Sequence, residues 1–173
     1  MSTLFVVGGA RSGKSRYAQR RCEAIGQRLV YIATAHAGDD EMAERIARHR
    51  ADRGPGWTTL EEPIDLPRAI RDAARDADAI LVDCLTLWLS NVMQADQSIA
   101  LARGELAEAV RHVKVPLVLI ANELGLGIVP ENALARQFRD EAGWVNQTIA
   151  QVVEEVVLVT AGLPLCLKGC SPA

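Results

Sequence analysis

The chain has 173 residues, 49% of them hydrophobic and 24% charged, with a formal net charge of −3 at pH 7. That is the make-up of one compact soluble domain, residues 1–173, large enough to bury a substantial core. No apolar run reaches the roughly 18–20 residues that span a bilayer. The opening MSTLFVVGG lacks the basic start of a signal peptide, and a slightly acidic chain has no overall attraction for nucleic acid or anionic membrane. These points predict a cytoplasmic protein with no nucleic-acid partner and no membrane span. The four cysteines (Cys22, Cys84, Cys166 and Cys170) form no CxxC pair and have no histidine at zinc-ligand spacing, so they read as reduced, structural thiols.

Short apolar runs alternate with amphipathic stretches, which predicts an α/β domain with a largely parallel sheet. LFVVGG (4–9) reads as a buried strand and Arg16–Ile25 as a helix ended by Gly26. RLVYIATA (28–35) is the next strand. Asp39–Arg53 reads as a helix closed by Gly54-Pro55-Gly56, and a short extended piece follows at Trp57–Glu61. A helix then begins near Asp65, with Pro67 tolerated in its first turn. AILVDCL (79–85) is a buried strand, and a helical region from Thr86 to Val113 is expected to break near Ala95-Asp96. PLVLIANEL (116–124) is a strand, and Glu131–Glu155 a long helix. VVLVTAGLPLCLK (156–168) reads as two strands joined at Gly162-Leu163-Pro164, an antiparallel hairpin at a sheet edge.

Gly8-Gly9-Ala10-Arg11-Ser12-Gly13-Lys14-Ser15 matches the P-loop pattern GxxxxGK[ST] in full. Glycines let backbone N–H groups close around phosphate oxygens, and the helix that follows presents its positive end. Lys14 is placed to reach the β- and γ-phosphates, and the Ser15 hydroxyl to ligate Mg2+. Such a site needs a carboxylate at the end of a neighbouring strand. Asp83 in ILVDC stands where it should, although an aspartate there can also cap the helix that follows. A guanine-reading switch GTPase does not fit: in IANELG, Glu123 stands where a lysine would be and Gly125 where an aspartate would bind the base. A small kinase, or another phosphoryl or nucleotidyl transferase, suits the length better.

His49 lies in ERIARHRADRG, on the expected second helix. With Met42 at zero and about 100° per residue, Arg45, Ile46, His49 and Arg53 fall within roughly 60° of it. Periodicity by itself favours a packed, partly buried histidine. Against that, Arg45, Arg50 and Arg53 make a cationic surround suited to an anion. A neutral imidazole can attack phosphorus and hold the transferred group as a phosphoramidate. Guanidinium charge disfavours protonation of a histidine whose reference pKa is about 6.5. His36 is a competitor without the arginine surround, and His112 near a helix end is explained by the dipole.

GGARSGKS, YIATA, DDEMAERIARHRADRG, LVDCLTLWLSN and NELGLGIVPEN occur in this order, and together they make the chain closely resemble the bifunctional adenosylcobinamide kinase/adenosylcobinamide-phosphate guanylyltransferase family. The resemblance runs from Leu4 to about Lys168. It implies a RecA-like P-loop α/β domain assembled as a homotrimer, acting in cobalamin biosynthesis. It implies phosphorylation of adenosylcobinamide by ATP or GTP, with Mg2+. Transfer of GMP from GTP through a guanylyl-histidine at His49 would then give adenosylcobinamide-GDP. By positional match the nucleotide is met by Gly8, Gly9, Ala10, Arg11, Ser12, Gly13, Lys14, Ser15, Ala33, Thr34, Ala35, Arg50, Ala51, Asp52, Arg53, Glu61 and Asp83, with Ser15 and Asp83 at the metal and His49 and Lys14 catalytic. Glycines bracket the His49 helix, at Gly38 and at Gly54 and Gly56, and suggest hinges that bring it toward the P-loop. Two other readings are a monofunctional kinase in which His49 merely binds phosphate, and a regulatory ATPase without a small-molecule substrate.

Overall fold

Alternation of strand and helix dictates the architecture seen in a computed structural model, which describes residues 3–35, 54 and 56–169. The strands are β1 (Thr3–Gly8), β2 (Leu29–Ala33), β3 (Trp57–Glu61), β4 (Ala79–Asp83), β5 (Leu117–Asn122), β6 (Glu155–Thr160) and β7 (Leu163–Lys168). The helices are α1 (Lys14–Glu23), α2 (Leu66–Ala73), α3 (Leu85–Gln94), α4 (Ile99–His112) and α5 (Ala133–Val152). The strands form one sheet in the order β3-β2-β4-β5-β1-β6-β7, parallel except for the antiparallel β6–β7 pair. The expected helix over Asp39–Arg53 lies outside the described residues, and with it His49, Arg50, Ala51, Asp52 and Arg53.

Successive residues of a strand point to opposite faces, and each face here has its own cover. Phe5, Val7, Ile32, Ile80, Val82, Leu117 and Leu119 face Leu66 and Ile70 of α2, Trp88 and Leu89 of α3, Leu106 and Val110 of α4, and Val145 and Ile149 of α5. Leu4, Val6, Leu29, Tyr31, Leu81, Val118 and Ile120 face the other way, where Ala18 and Cys22 of α1 pack. Both faces are covered, so the central strands read as unbroken apolar runs.

Several details differ from the sequence-based expectation. Trp57–Glu61 is a full strand in parallel register with β2, although its outward residues are half-exposed or exposed at the sheet edge. Tyr31 and Trp57 meet edge to face at 6.3 Å, which fixes this outer pair. The hairpin turns at Ala161-Gly162, one residue earlier than expected: both have positive φ (51° and 79°), the backbone a two-residue hairpin turn requires. Leu163 and Pro164 therefore belong to β7, an edge strand that tolerates a missing N–H. Asp83 does not cap the helix that follows. It ends β4, and Cys84 occupies the N-cap position without a side-chain cap bond. Ile25 is exposed, and Ala18 and Cys22 are buried. Cys22 and Cys84 are free and buried, and burial pushes their thiols up to about 12 and about 11. Cys166 is disulfide-bonded, so the expectation of four reduced thiols does not hold for it.

One buttress sits at the opposite edge from the P-loop. The Asp78 carboxylate accepts the N–H groups of Gln27 and Arg28 at 3.1 and 3.0 Å, and the Arg28 guanidinium at 2.6 Å. A Cβ on Gly26 would stand 2.5 Å from Asp78 Cβ, so this turn needs glycine. Hydrogen bonding from Arg28, side chain first and then backbone, holds the Asp78 carboxyl down to about 2. A folded-state pKa below the unfolded one gives stability that is present above the unfolded value and is lost as pH falls through the folded one. We expect Asp78→Asn to melt below the wild type at neutral pH, and the gap to close as the pH falls from about 4 toward about 2. Thermal melts across that range check it. A gap that persists at the acid end would show that the carboxylate's ionisation is not what stabilises the turn.

Candidate active site

Parallel strands deliver their C-terminal ends to one edge, and the sequence-predicted residues gather there. The P-loop leaves β1 at Gly8 and enters α1 at Lys14, with Gly13 left-handed (φ 95°) at the N-cap. A Cβ on Gly8 would collide with the Val159 carbonyl oxygen of β6 and stand 2.6 Å from Ser12 Oγ, whereas a Cβ on Gly9 would meet nothing within 4 Å. Gly8 is thus a packing requirement of the loop itself. Gly9 is the open position, consistent with a ligand approaching its backbone. The far side of the loop is tied down by the β6–β7 turn: the Gly162 N–H donates to the Ser12 carbonyl at 2.8 Å. Lys14 is nearly buried, and its Nζ donates to the Gly9 carbonyl at 3.0 Å, spanning the loop it is expected to serve.

Asp83 stands at the end of β4, across β5 from β1, half-buried and with no partner for its carboxylate among the described residues. Lys14 is close enough to lower the Cys84 thiol pKa while Asp83 raises it, after the larger effect of burial. Ser15 and Asp83 are both oxygen donors, and hard oxygen ligands suit Mg2+, which takes few protein ligands and completes its shell with water and phosphate. No group of three metal-ligating side chains occurs among the described residues. The donor set therefore fits a nucleotide-borne Mg2+ better than a resident all-protein site.

Thr34 has a task within the protein itself. Its side chain is buried, donates to the Cys84 carbonyl at 2.7 Å and accepts the Cys84 N–H at 2.8 Å. The Thr34 N–H donates to the Asp83 carbonyl, and its own carbonyl accepts Asn91 Nδ2 at 2.8 Å. Thr34 is therefore a brace that sets the backbone carrying Asp83. Ala33 pairs with Asp83 in register, and Glu61 pairs with Ala33. At about 4.8 Å per strand, Ala33 lies three intervals (~14 Å) and Glu61 four intervals (~19 Å) from Gly8 along the edge. The predicted set thus divides into a phosphate group on β1 and β4 and a second group on β2 and β3.

Polar residues that sequence reasoning did not single out complete this edge. Thr86 Oγ1 accepts the Asn122 N–H at 2.8 Å, and Asn91 Nδ2 also reaches the Pro63 carbonyl at 3.1 Å. Asn122 and Glu123 follow the apolar core of β5, and the Glu123 N–H donates to the Gly8 carbonyl at 3.1 Å. For Asn122 and Glu123 the available signal was their position: polar side chains at the end of a buried strand.

Comparison with known proteins gives the chain its relatives. A family model described as cobinamide kinase / cobinamide phosphate guanyltransferase matches residues 4–167. The chain is 48% identical over 166 residues to the bifunctional adenosylcobalamin biosynthesis protein CobP of Pseudomonas aeruginosa, covering 95% of this chain and 96% of that one. It is 38% identical over 180 residues to the bifunctional adenosylcobalamin biosynthesis protein CobU of Escherichia coli, covering 95% and 99%. Among solved structures, a KaiC-like protein of Pyrococcus horikoshii aligns with a TM-score of 0.55 at 12% identity, covering 91% of this chain and 70% of that one. The flagellar accessory protein FlaH of Methanocaldococcus jannaschii aligns at 0.52 and 13% identity, covering 96% and 78%. These last two are likenesses of fold.

The two glycines separate folding from binding. We expect Gly8→Ala to lower the melting temperature and abolish binding of a fluorescent nucleotide analogue. Gly9→Ala should leave the melting temperature of the nucleotide-free protein unchanged. Equal melting temperatures for the two variants would show that the contacts at Gly8 do not hold the loop.

Proposed function

Because the chain belongs to the cobinamide kinase / cobinamide phosphate guanyltransferase family, we propose that its single domain runs the two transfers in succession on one corrinoid substrate. The family match over residues 4–167, on a chain whose complete P-loop shares one sheet edge with Asp83, carries this reading. In the first transfer, the hydroxyl oxygen of adenosylcobinamide forms a bond to the γ-phosphorus of ATP or GTP. The bond to the β–γ bridging oxygen breaks, and the nucleoside diphosphate leaves. Backbone N–H groups of the P-loop, the end of α1 and Lys14 stabilise charge on the transferred group. Ser15 and Asp83 would hold Mg2+, which would supply neutralisation of the phosphate charge.

In the second transfer, His49 attacks the α-phosphorus of GTP and pyrophosphate leaves. The phosphate oxygen of adenosylcobinamide phosphate then displaces the imidazole, giving adenosylcobinamide-GDP and restoring His49. Ala33, Ala35 and Glu61, at the tips of β2 and β3, border the point at Ala35 where the His49 segment leaves the sheet. This supports assigning them, with Arg50 to Arg53, to the guanylyl site. On this reading the His49 segment approaches the P-loop when nucleotide binds, with Gly38, Gly54 and Gly56 as hinges.

Incubation with α-labelled GTP tests the carrier. We expect an acid-labile, base-stable protein adduct that His49→Ala abolishes together with the second transfer. Retained labelling in that variant would assign the nucleophile elsewhere, with His36 the next to examine.

We further propose a homotrimer in the cytoplasm. No described helix is long and apolar enough to cross a membrane. Leu126, Ile128 and Val129 after β5, and Leu163, Leu165 and Leu167 on β7, give a single copy more exposed apolar surface than scattered residues would. Analytical ultracentrifugation should return about three times the 18.7 kDa of the chain, and a monomer mass at micromolar concentration would refute the assembly.

A further inference from the structure

Transfer of phosphate to a hydroxyl needs a group that takes the hydroxyl proton as the new P–O bond forms. The C-terminal edge carries four carboxylates among the described residues at strand ends: Glu61, Glu62, Asp83 and Glu123. Glu61 and Glu62 end the outermost strand, four intervals or ~19 Å from the P-loop strand. Glu62 is also committed, accepting the N–H groups of Ile64 and Asp65 at 3.0 and 2.9 Å and pairing with Arg68 at 3.4 Å. Asp83 is the carboxylate set for the metal.

Glu123 is placed differently from all three. β5 is the strand between β1 and β4, so its tip lies between the phosphate loop and Asp83. Gly8 pairs with Asn122 in register, and the Glu123 N–H donates to the Gly8 carbonyl at 3.1 Å, fixing the Glu123 backbone to the first residue of the loop. The side chain is held as well: Oε1 accepts the Gly125 N–H at 2.6 Å. That contact places the carboxylate over the turn at Gly125, a Cβ there standing 2.9 Å from the oxygen. Oε2 has no partner among the described residues, and Glu123 is half-exposed, open to an acceptor arriving from solvent.

We propose that Glu123 is the general base of the kinase reaction and takes no part in guanylyl transfer. This rests on the two-transfer reading above. As the acceptor oxygen bonds to the γ-phosphorus, its proton passes to the Glu123 carboxylate. The electron pair of the broken bond to the bridging oxygen leaves with the nucleoside diphosphate, and Glu123 then releases the proton to water. The second transfer uses an acceptor phosphate that is already ionised and has no such proton to lose, so it has no need of this base.

The isosteric variant Glu123→Gln separates this role from a purely structural one, because the glutamine Oε1 still accepts the Gly125 N–H. With adenosylcobinamide as acceptor, kinase kcat should fall by a factor of about 10²–10⁴. Affinity for a fluorescent nucleotide analogue should stay within about twofold of wild type, and so should GMP transfer to adenosylcobinamide phosphate supplied ready-made. Kinase kcat retained within a few-fold, or both transfers falling together, would overturn the assignment while leaving the two-transfer reading intact. Failure of the wild type to phosphorylate adenosylcobinamide would overturn that reading and this assignment with it.

Discussion

The phosphate loop closes only because Gly8 has no side chain. The space a Cβ would take is filled by the Val159 carbonyl of β6 and the Ser12 hydroxyl, whose buried oxygen has no hydrogen-bond partner among the described residues. That close approach depends on β6 pairing beside β1, with Val6 opposite Val157 and Val7 opposite Leu158. The β6–β7 turn then folds back far enough for Gly162 to hold the Ser12 carbonyl. Each of these contacts restrains the loop before any nucleotide arrives, so little ordering entropy remains to be lost on binding. The antiparallel hairpin at the sheet edge is thus the outer wall of the phosphate cradle.

The inner wall is built from α3 and the strand tips it touches. From this one helix, Thr86 holds the β5 tip through the Asn122 N–H, Asn91 holds β2 through the Thr34 carbonyl, and Trp88 Nε1 donates to the Ile64 carbonyl beyond β3 at 2.9 Å. Each bond uses a backbone group that would otherwise end a strand unpaired near a half-buried edge, where leaving it unsatisfied costs about 1–3 kcal/mol. The same bonds fix the height of Asp83 relative to Gly8. Asp83 pairs with Ile120 and Gly8 with Asn122, so the carboxylate sits two residues below the phosphate loop along the strand direction.

Local pattern made most of this legible. The apolar runs of β1, β4 and β5 are continuous because both faces of the sheet are covered, and the P-loop is a backbone motif written in its own glycines. The family resemblance read from those motifs agrees with the match over residues 4–167. β3 was weaker to read because Trp57–Glu61 alternates half-buried Trp57 and Thr59 with exposed Thr58 and Leu60, as an edge strand does. Strand order is set by crossover packing between distant segments, and no local residue announces it. The position of β5 between the P-loop strand and Asp83 therefore emerged only from the fold, as did the roles of Thr34, Thr86 and Asn91. Thr34 shows what a positional match leaves out: its side chain and its backbone N–H and carbonyl all bond to the protein.

Strand order also decides how one domain can hold two reactions. Along the C-terminal edge, the phosphate cradle occupies β1, with the Asp83 carboxylate two strands away. Ala33 and Glu61 end strands a further ~5 and ~10 Å beyond Asp83. On the two-transfer reading proposed above, a γ-phosphate at Gly8–Ser15 and an α-phosphate near β2 would make different demands on the same ligand. The chain between Ala35 and Gly54, which carries His49, bridges the end of β2 to the start of β3, the outer pair of the sheet. Both strands it joins are edge-ward of the backbone contacts made directly to the P-loop, from Gly162 to Ser12 and from Glu123 to Gly8. On that reading, the contacts that hold the P-loop at Gly162 and Glu123 lie on β1, β5 and the hairpin turn, apart from the strands that this connection joins.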